Sequence, residues 1–277
     1  MVLTEELFEK GKSKLSVRDC LPIDENYVLL KKSMPCTDAE LDEYIENIRK
    51  AHDSGINTPR ILDYRFIEGT TSTYNKDDGT ISYTVGVFLE ERAKGVCISS
   101  TSHSLKSNED YFSFLDSVQN YIDELEKRAN ASQDIYDKLV SDYIGLSNYN
   151  ICPDPKPTNF FFDPKQGYSI IDVIDQKQIG FKYIPQYILI VILGYGLPHI
   201  FDSSYTDMSF LTQSLFDRYN AAKDKVLDKA MIALKKIQIP DEQINEEFNE
   251  RKRNYEFYGK VIPDDKVEEY INSNRNR

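Results

Sequence analysis

The chain has 277 residues, 40% of them hydrophobic and 29% charged, ordinary proportions for a soluble globular protein with room for one large domain or two lobes around a cleft. Its formal net charge of -12 argues against nucleic acid as a partner, because that binding rests on lysine and arginine contacts to phosphate. Cys20, Cys36, Cys97 and Cys152 show no C-x-x-C spacing and His52, His103 and His199 are scattered, so a zinc site has little support and a reducing cytoplasm is the simpler compartment.

Met1 to Lys12 alternates acidic and basic residues without a long apolar run, so no signal peptide is expected there. The first lobe reads as mostly strand. Leu7-Phe8-Glu9 and Leu15-Ser16-Val17 flank Gly11-Lys12-Ser13 as the arms of a hairpin with Gly11 in its turn, and Tyr27 to Leu30 is an apolar run ending on Lys31-Lys32. Thr37-Asp38-Ala39-Glu40 is a capping box, after which Leu41, Ile45, Ile48 and His52 recur at helical spacing until Gly55 and Pro59. His52, on the apolar edge of that helix, reads as a packed residue. Arg60 to Glu68 and Ser82 to Leu89 read as two strands joined through Asp78-Gly79. The second leads through Phe88-Leu89-Glu90-Glu91-Arg92-Ala93-Lys94-Gly95 to a Ser/Thr-rich linker or loop at Ser99 to Ser107.

Two amphipathic helices follow, one with Tyr111, Leu115, Val118, Ile122 and Leu125 on its stripe, the other with Ile135, Leu139, Tyr143 and Leu146. The most specific stretch comes next: Asp154-Pro155-Lys156-Pro157-Thr158-Asn159-Phe160-Phe161-Phe162-Asp163, a turn at Gly167, then Ile170-Ile171-Asp172. It reads as a polar loop, a strand, a turn and a second strand ending on a carboxylate. Tyr183 to Leu197 is strongly apolar but broken by Pro185, Gln186, Gly194 and Gly196, and shorter than the roughly 20 apolar residues a membrane span needs, so it reads as a buried helix. A long helix is expected over Met208 to Ile237, stopped at Pro240, then a shorter one from Asp241 with Ile244, Phe248 and Tyr255 inward. The tail Asn272 to Arg277 is polar and reads as frayed.

Asp154 and Asn159 are five apart, and Asp172 lies thirteen beyond Asn159. Phosphoryl transfer from ATP asks little covalent help of a protein: it asks for divalent metal against the phosphate charge and for a group that aims the attacking hydroxyl. A carboxylate and an amide oxygen suit Mg2+, which takes hard oxygen ligands. In this spacing the chain resembles the protein kinase-like superfamily, whose catalytic loop reads D-x-x-x-x-N and whose metal-binding Asp follows on a hairpin. The likeness covers about residues 7 to 200 and is specific from Asp154 to Asp172.

The resemblance implies an α+β, bilobal fold: a small β-rich N-lobe over residues 1–95 ending at a hinge, and a larger, mainly helical C-lobe over residues 96–277. It makes Asp154 the catalytic base, Lys156 a neighbour of the transferred phosphate, and Asn159 and Asp172 the metal ligands, with ATP and Mg2+ as cofactors. By position Lys31 is the ATP lysine, with Lys32 as the alternative. Glu46, with Glu43 as the alternative, is the helix carboxylate that pairs with that lysine. Glu90, Glu91 and Ala93 fall at the hinge, where extended backbone would receive adenine.

The chain also departs from the family. Cys152-Pro153 stands where His-Arg usually precedes the base, Val173-Ile174 stands where Phe-Gly usually follows the metal Asp, and no Ala-Pro-Glu appears. The long segment that docks peptide substrates in ordinary protein kinases is therefore expected to be missing. Three readings follow for an atypical, bacterial-type member. One is a cytoplasmic kinase of protein Ser/Thr, favoured by Lys156 in Asp-x-Lys-Pro-x-Asn. The second is a kinase of a small molecule, as aminoglycoside and choline kinases are, favoured by the short segment after Asp172. The third is a nucleotide-binding pseudokinase, against which Asp154, Asn159 and Asp172 speak together. The acceptor, and transfer of phosphoryl rather than AMP, stay open.

Overall fold

The structure is a computed structural model that describes residues 1–16, 20–34, 38–67, 72–76, 79–98, 111–149, 151, 153, 156–171, 184–194, 210–237, 240–253 and 255–274. Two compact units are present: the first holds Met1–Lys94, Asp142–Asp154 and Ser169–Gln178, the second Gly95–Ser141, Pro155–Tyr168 and Ile179–Arg277. A mostly antiparallel-sheet unit and a mainly helical unit make this an α+β chain, the class expected.

The first unit opens with α1 (Glu5–Lys14), where the sequence pattern predicts a hairpin. The local chemistry explains the correction: the Thr4 side chain caps the Leu7 N–H, Glu5 and Glu6 sit in the positive first turn, and Lys12 and Lys14 sit in the negative last one. Gly11 is a helix-packing residue and not a turn. A Cβ there would stand 2.7 Å from Val87 Cγ1 and 2.9 Å from Leu29 Cδ2, so the missing side chain is what lets α1 lie on the sheet.

That sheet is built from β1 (Cys20–Pro22), β2 (Tyr27–Met34), β3 (Ile61–Phe66), β4 (Ser72–Lys76) and β5 (Gly79–Glu91), in the order β1-β2-β5-β3 with β4 also on β5. All these pairings are antiparallel. β4 is an element the sequence pattern does not predict. β4 pairs with β5 with Lys76 opposite Gly79, so the strand before β5 in the chain is β4 and not the Arg60 to Glu68 strand; Asp78 of the expected turn lies outside the described residues. Between β2 and β3 lies α2 (Asp38–Asp53), which buries Ile45, Ile48 and Ala51 and ends at Gly55, whose φ of 93° is the left-handed conformation that glycine adopts freely. Thr37 of the capping box is outside the described residues.

Period two sorts the residues of β2 and β5 between two faces. On one face Leu29, Val85, Val87 and Leu89 pack with Leu3, Phe8 and Leu15 around α1 in one apolar cluster. Each such side chain, when fully buried, contributes about 1.5–3 kcal/mol.

In the second unit β6 (Val96–Cys97) pairs with β7 (Phe160–Asp163), and β7 turns through Gly167, at φ 85°, into β8 (Gly167–Ile170), whose residues from Ser169 onward belong to the first unit. The described helices after β5 are α3 (Tyr111–Asn130), α4 (Gln133–Ser147), whose residues from Asp142 onward belong to the first unit, α5 (Ile184–Leu193), α6 (Gln213–Leu234), α7 (Asp241–Arg253) and α8 (Val267–Asn274). α5 falls within the interrupted apolar run, and no described helix is long and apolar enough to cross a membrane. The long helix expected from Met208 begins only at Gln213. Thr212 caps it through the Leu215 N–H, and the residues just before it form β9 (Phe210–Thr212), parallel to β10 (Lys260–Ile262). α3 and α6 are tied by Arg218, which gives Nη2 to Asp123 at 2.7 Å and Nε to Glu126 at 2.8 Å.

Candidate active site

The second face of the β2/β5 sheet carries a covered ion pair. Lys32 lies opposite Gly86, a residue with no side chain to obstruct it, and its Nζ passes 5.7 Å from the Phe88 ring centroid to reach Glu90 Oε1 at 2.7 Å. Both side chains are well covered, at 18% and 8% exposure, so this is an ion pair largely out of water. Tyr64 of β3 stacks on Phe88 at 6.0 Å, donates its hydroxyl to the Asp42 carboxylate of α2, and has the Arg49 guanidinium 5.8 Å from its ring centroid. Burial first, then that bond to Asp42, pushes the Tyr64 hydroxyl up to about 12.

Lys31 is on the other face. Its Nζ donates to Lys12 O at 2.9 Å and Leu15 O at 3.0 Å, the carbonyls where α1 ends. That position suits a cation, because the C-terminal end of a helix is electronegative. Glu46 and Glu43 are both solvent-exposed on α2, and among the described residues neither forms an ion pair with Lys31 or Lys32. The carboxylate that meets a lysine is Glu90, which the sequence pattern places only at the hinge. His52 is a packed residue, with Nδ1 2.7 Å from Thr58 O and Nε2 3.9 Å from Glu91 Oε2.

The residues expected at the hinge divide by what their backbone is already doing. Phe88, Leu89, Glu90 and Glu91 are flanked by β2 and Phe88, Leu89 and Glu90 by β3 as well, while the Glu91 N–H goes to Arg60 O and the Arg92 N–H to Asn26 O. Ala93, half-buried, is therefore the first candidate beyond the ladder.

Asp154 and Asp172 lie outside the described residues, as do Cys152, Val173 and Ile174, but the stems that lead to the two carboxylates are described and both belong to the first unit. Pro153 is held through its carbonyl by the Tyr143 hydroxyl at 3.3 Å. Ile170 gives its N–H to Asn57 O at 2.9 Å, and Ser169 Oγ lies 3.4 Å from Asn57 Oδ1. Asn57, in the loop after α2, also donates its own N–H to Asp142 Oδ2 of α4 at 3.0 Å. One loop residue thus joins the helix before Asp154 to the strand before Asp172. Asp142 is 5% exposed, and such a charge-assisted bond is worth about 1.5–3 kcal/mol. The sequence held a signal for it, a carboxylate set among Leu139, Tyr143 and Leu146 on the apolar stripe of α4.

In the second unit Pro157–Asn159 form a 3-10 turn whose last N–H returns to Lys156 O at 2.9 Å. Asn159 is buried at 7% exposure and enters β7 directly, while Lys156 is exposed at the mouth of the turn. Cys97 of β6 lies against this turn, with Sγ 3.6 Å from Thr158 O. An amide fixed by such a turn offers an oxygen of the hard kind that Mg2+ takes.

No family model matches the chain, and no curated protein matches it. Among solved structures, the chain is similar to the ROP18 kinase domain in complex with AMP-PNP and sucrose at 14% identity and a TM-score of 0.34, over 83% of this chain and 75% of that one. It is similar to the Legionella pneumophila LegK7 effector kinase at 9% identity and a TM-score of 0.33, over 87% of this chain and 63% of that one. It is also similar to an aminoglycoside phosphotransferase from Alicyclobacillus acidocaldarius at 11% identity and a TM-score of 0.28, over 91% of this chain and 93% of that one.

Proposed function

We propose that the chain is an ATP- and Mg2+-dependent phosphotransferase of the protein kinase-like type, acting on the hydroxyl of a protein Ser or Thr. The observation that carries this reading is the series Asp154, Lys156, Asn159 and Asp172 set around a strand, turn and strand, with Asn159 at the entry to β7 and β8 leading towards Asp172. In this reading Asp154 aims the acceptor hydroxyl and takes its proton, and Lys156 neutralises charge on the transferred phosphate. Asn159 and Asp172 would hold Mg2+, which supplies charge neutralisation at the phosphates when bound. Lys32, already out of water beside Glu90, is the better candidate than Lys31 for the lysine that meets ATP, because Lys31 is committed to the end of α1. Ala93 is the better candidate at the hinge for adenine.

A small-molecule acceptor is the second reading, and one observation favours it: α5 begins at Ile184, so little chain follows Asp172 in which to build a peptide-docking segment. Mass spectrometry of the protein after incubation with Mg2+ and ATP separates the readings. Phosphate on its own Ser or Thr supports the first, and turnover seen only with added aminoglycosides or amino alcohols supports the second. An adenylyl group on the protein would overturn both.

A further inference from the structure

Within the first unit, the loop after α2, the last turns of α4 and the end of β8 meet at the peptide of Asn57. The loop is tied to α2 by the Ile56 N–H on Ala51 O at 3.2 Å and by His52 Nδ1, 2.7 Å from Thr58 O. From that base the peptide works in two directions. The Asn57 N–H donates to Asp142 Oδ2 of α4 at 3.0 Å, and Asn57 O accepts the Ile170 N–H of β8 at 2.9 Å.

Two features of α4 make the contact a built one. Asp142 is 5% exposed among the buried Leu139, Tyr143 and Leu146, and a carboxylate taken out of water is tolerated only where it is hydrogen-bonded, so packing alone would favour an apolar residue here. Gly145 is unfavourable inside a helix, yet a Cβ there would stand 3.1 Å from Ile56 Cδ1. Its missing side chain brings α4 close enough to the loop for Asp142 to reach the Asn57 N–H.

The same turns of α4 hold the approach to Asp154. The Ile151 N–H returns to Leu146 O at 3.1 Å, and the carbonyl of Pro153, the residue before Asp154, accepts the Tyr143 hydroxyl at 3.3 Å. Ile170 stands two residues before Asp172. Adjacent side chains, Asp142 and Tyr143, therefore govern both approaches. Transfer between bound groups depends on such placement, since a misplacement of about 1 Å can cost about a hundredfold in rate.

We propose that Asp142 is a positioning residue for phosphoryl transfer, which through the Asn57 peptide sets the strand entering Asp172 against the segment entering Asp154. This rests on the phosphotransfer reading above and adds to it a group that touches neither nucleotide nor metal.

The test uses the full chain with Mg2+ and ATP, reading ADP release together with ATP affinity and the number of ATP sites per chain. Asp142→Ala should lower maximal turnover by about tenfold to a hundredfold while affinity and site number stay within about twofold. Asp142→Asn keeps an oxygen that can accept the Asn57 N–H, and should recover turnover to within about threefold of the unaltered chain. Hydrogen exchange on the unaltered chain needs no variant to fold: one opening frees the Asn57 and Ile170 amides, so their protection should agree within about threefold. Full turnover in Asp142→Ala overturns the proposal, as do a loss of ATP sites in step with turnover, an Asp142→Asn as slow as Asp142→Ala, or protection that differs more widely between the two amides. An unaltered chain that releases no ADP is a separate failure, that of the phosphotransfer reading, and takes the catalytic task of Asp142 with it.

Discussion

The two faces of the first unit's sheet start from the same strands and end with different tasks. On the α1 side β2 and β5 present Leu29, Val85, Val87 and Leu89, and the cation of that face, Lys31, is spent on the carbonyls of Lys12 and Leu15. On the other side the same strands present Phe88, Glu90 and Lys32, with Tyr64 beside them, and here the cation meets a carboxylate. The lesson is that adjacent lysines on a strand are not alternatives in space. One closes the core, the other stands largely out of water against a carboxylate.

Removing the carboxylate has the largest expected effect. Glu90→Ala leaves Lys32 covered and unpaired, and should lower stability by about 3–5 kcal/mol in urea unfolding. A loss below about 1 kcal/mol would place the pair in solvent. Next, Lys32→Met should weaken ATP binding by roughly tenfold to a hundredfold in titration calorimetry, the worth of one hydrogen bond to a charged group. Lys31→Met should leave the affinity alone and cost about 1 kcal/mol of stability; equal losses of affinity from the two would erase the distinction between the faces. On the core side, Gly11→Val would drive a side chain into Val87 and Leu29, and should destabilise by about 1–3 kcal/mol with no change in ATP affinity once folded.

The smallest effect is a pH dependence on the Lys32 face. With its hydroxyl raised from 10.0 to about 12, Tyr64 keeps its proton in the folded chain over a range where it would be ionised in the unfolded one. Its contribution is therefore complete below about pH 10 and is lost as the pH climbs towards about 12. Tyr64→Phe should flatten part of the alkaline fall in thermal midpoint, and an unchanged profile would remove the burial from the account.

Much of this arrangement was legible in the residues. The β7 and β8 hairpin followed from an apolar run on each side of Gly167, and α2 from its stripe and from Gly55, because both patterns depend only on local chemistry. The α1 segment was not legible as a helix. Ten residues with one glycine at the centre fit a hairpin turn as well as a helix, and what decides is Val87, distant in sequence, filling the space a side chain would need. The choice between Lys31 and Lys32 was open for the same reason, since alternation tells that they part but not which face α1 will cover. β9 and β10 are three residues each and pair in parallel across fifty positions, which leaves no local trace. The joint at Asn57 works largely through backbone groups, so its residue type says little about it.

In the proposed reaction Asp154 acts on an acceptor hydroxyl while other groups hold the nucleotide. Turnover of ATP and affinity for it, measured together on Asp154→Asn, test this most directly. The expected result is affinity within a few-fold of the unaltered chain and turnover lower by about a hundredfold or more, with Cys152→Ala keeping most of the activity. An active Asp154→Asn beside a dead Cys152→Ala would contradict it and show that the chemistry is not kinase-like.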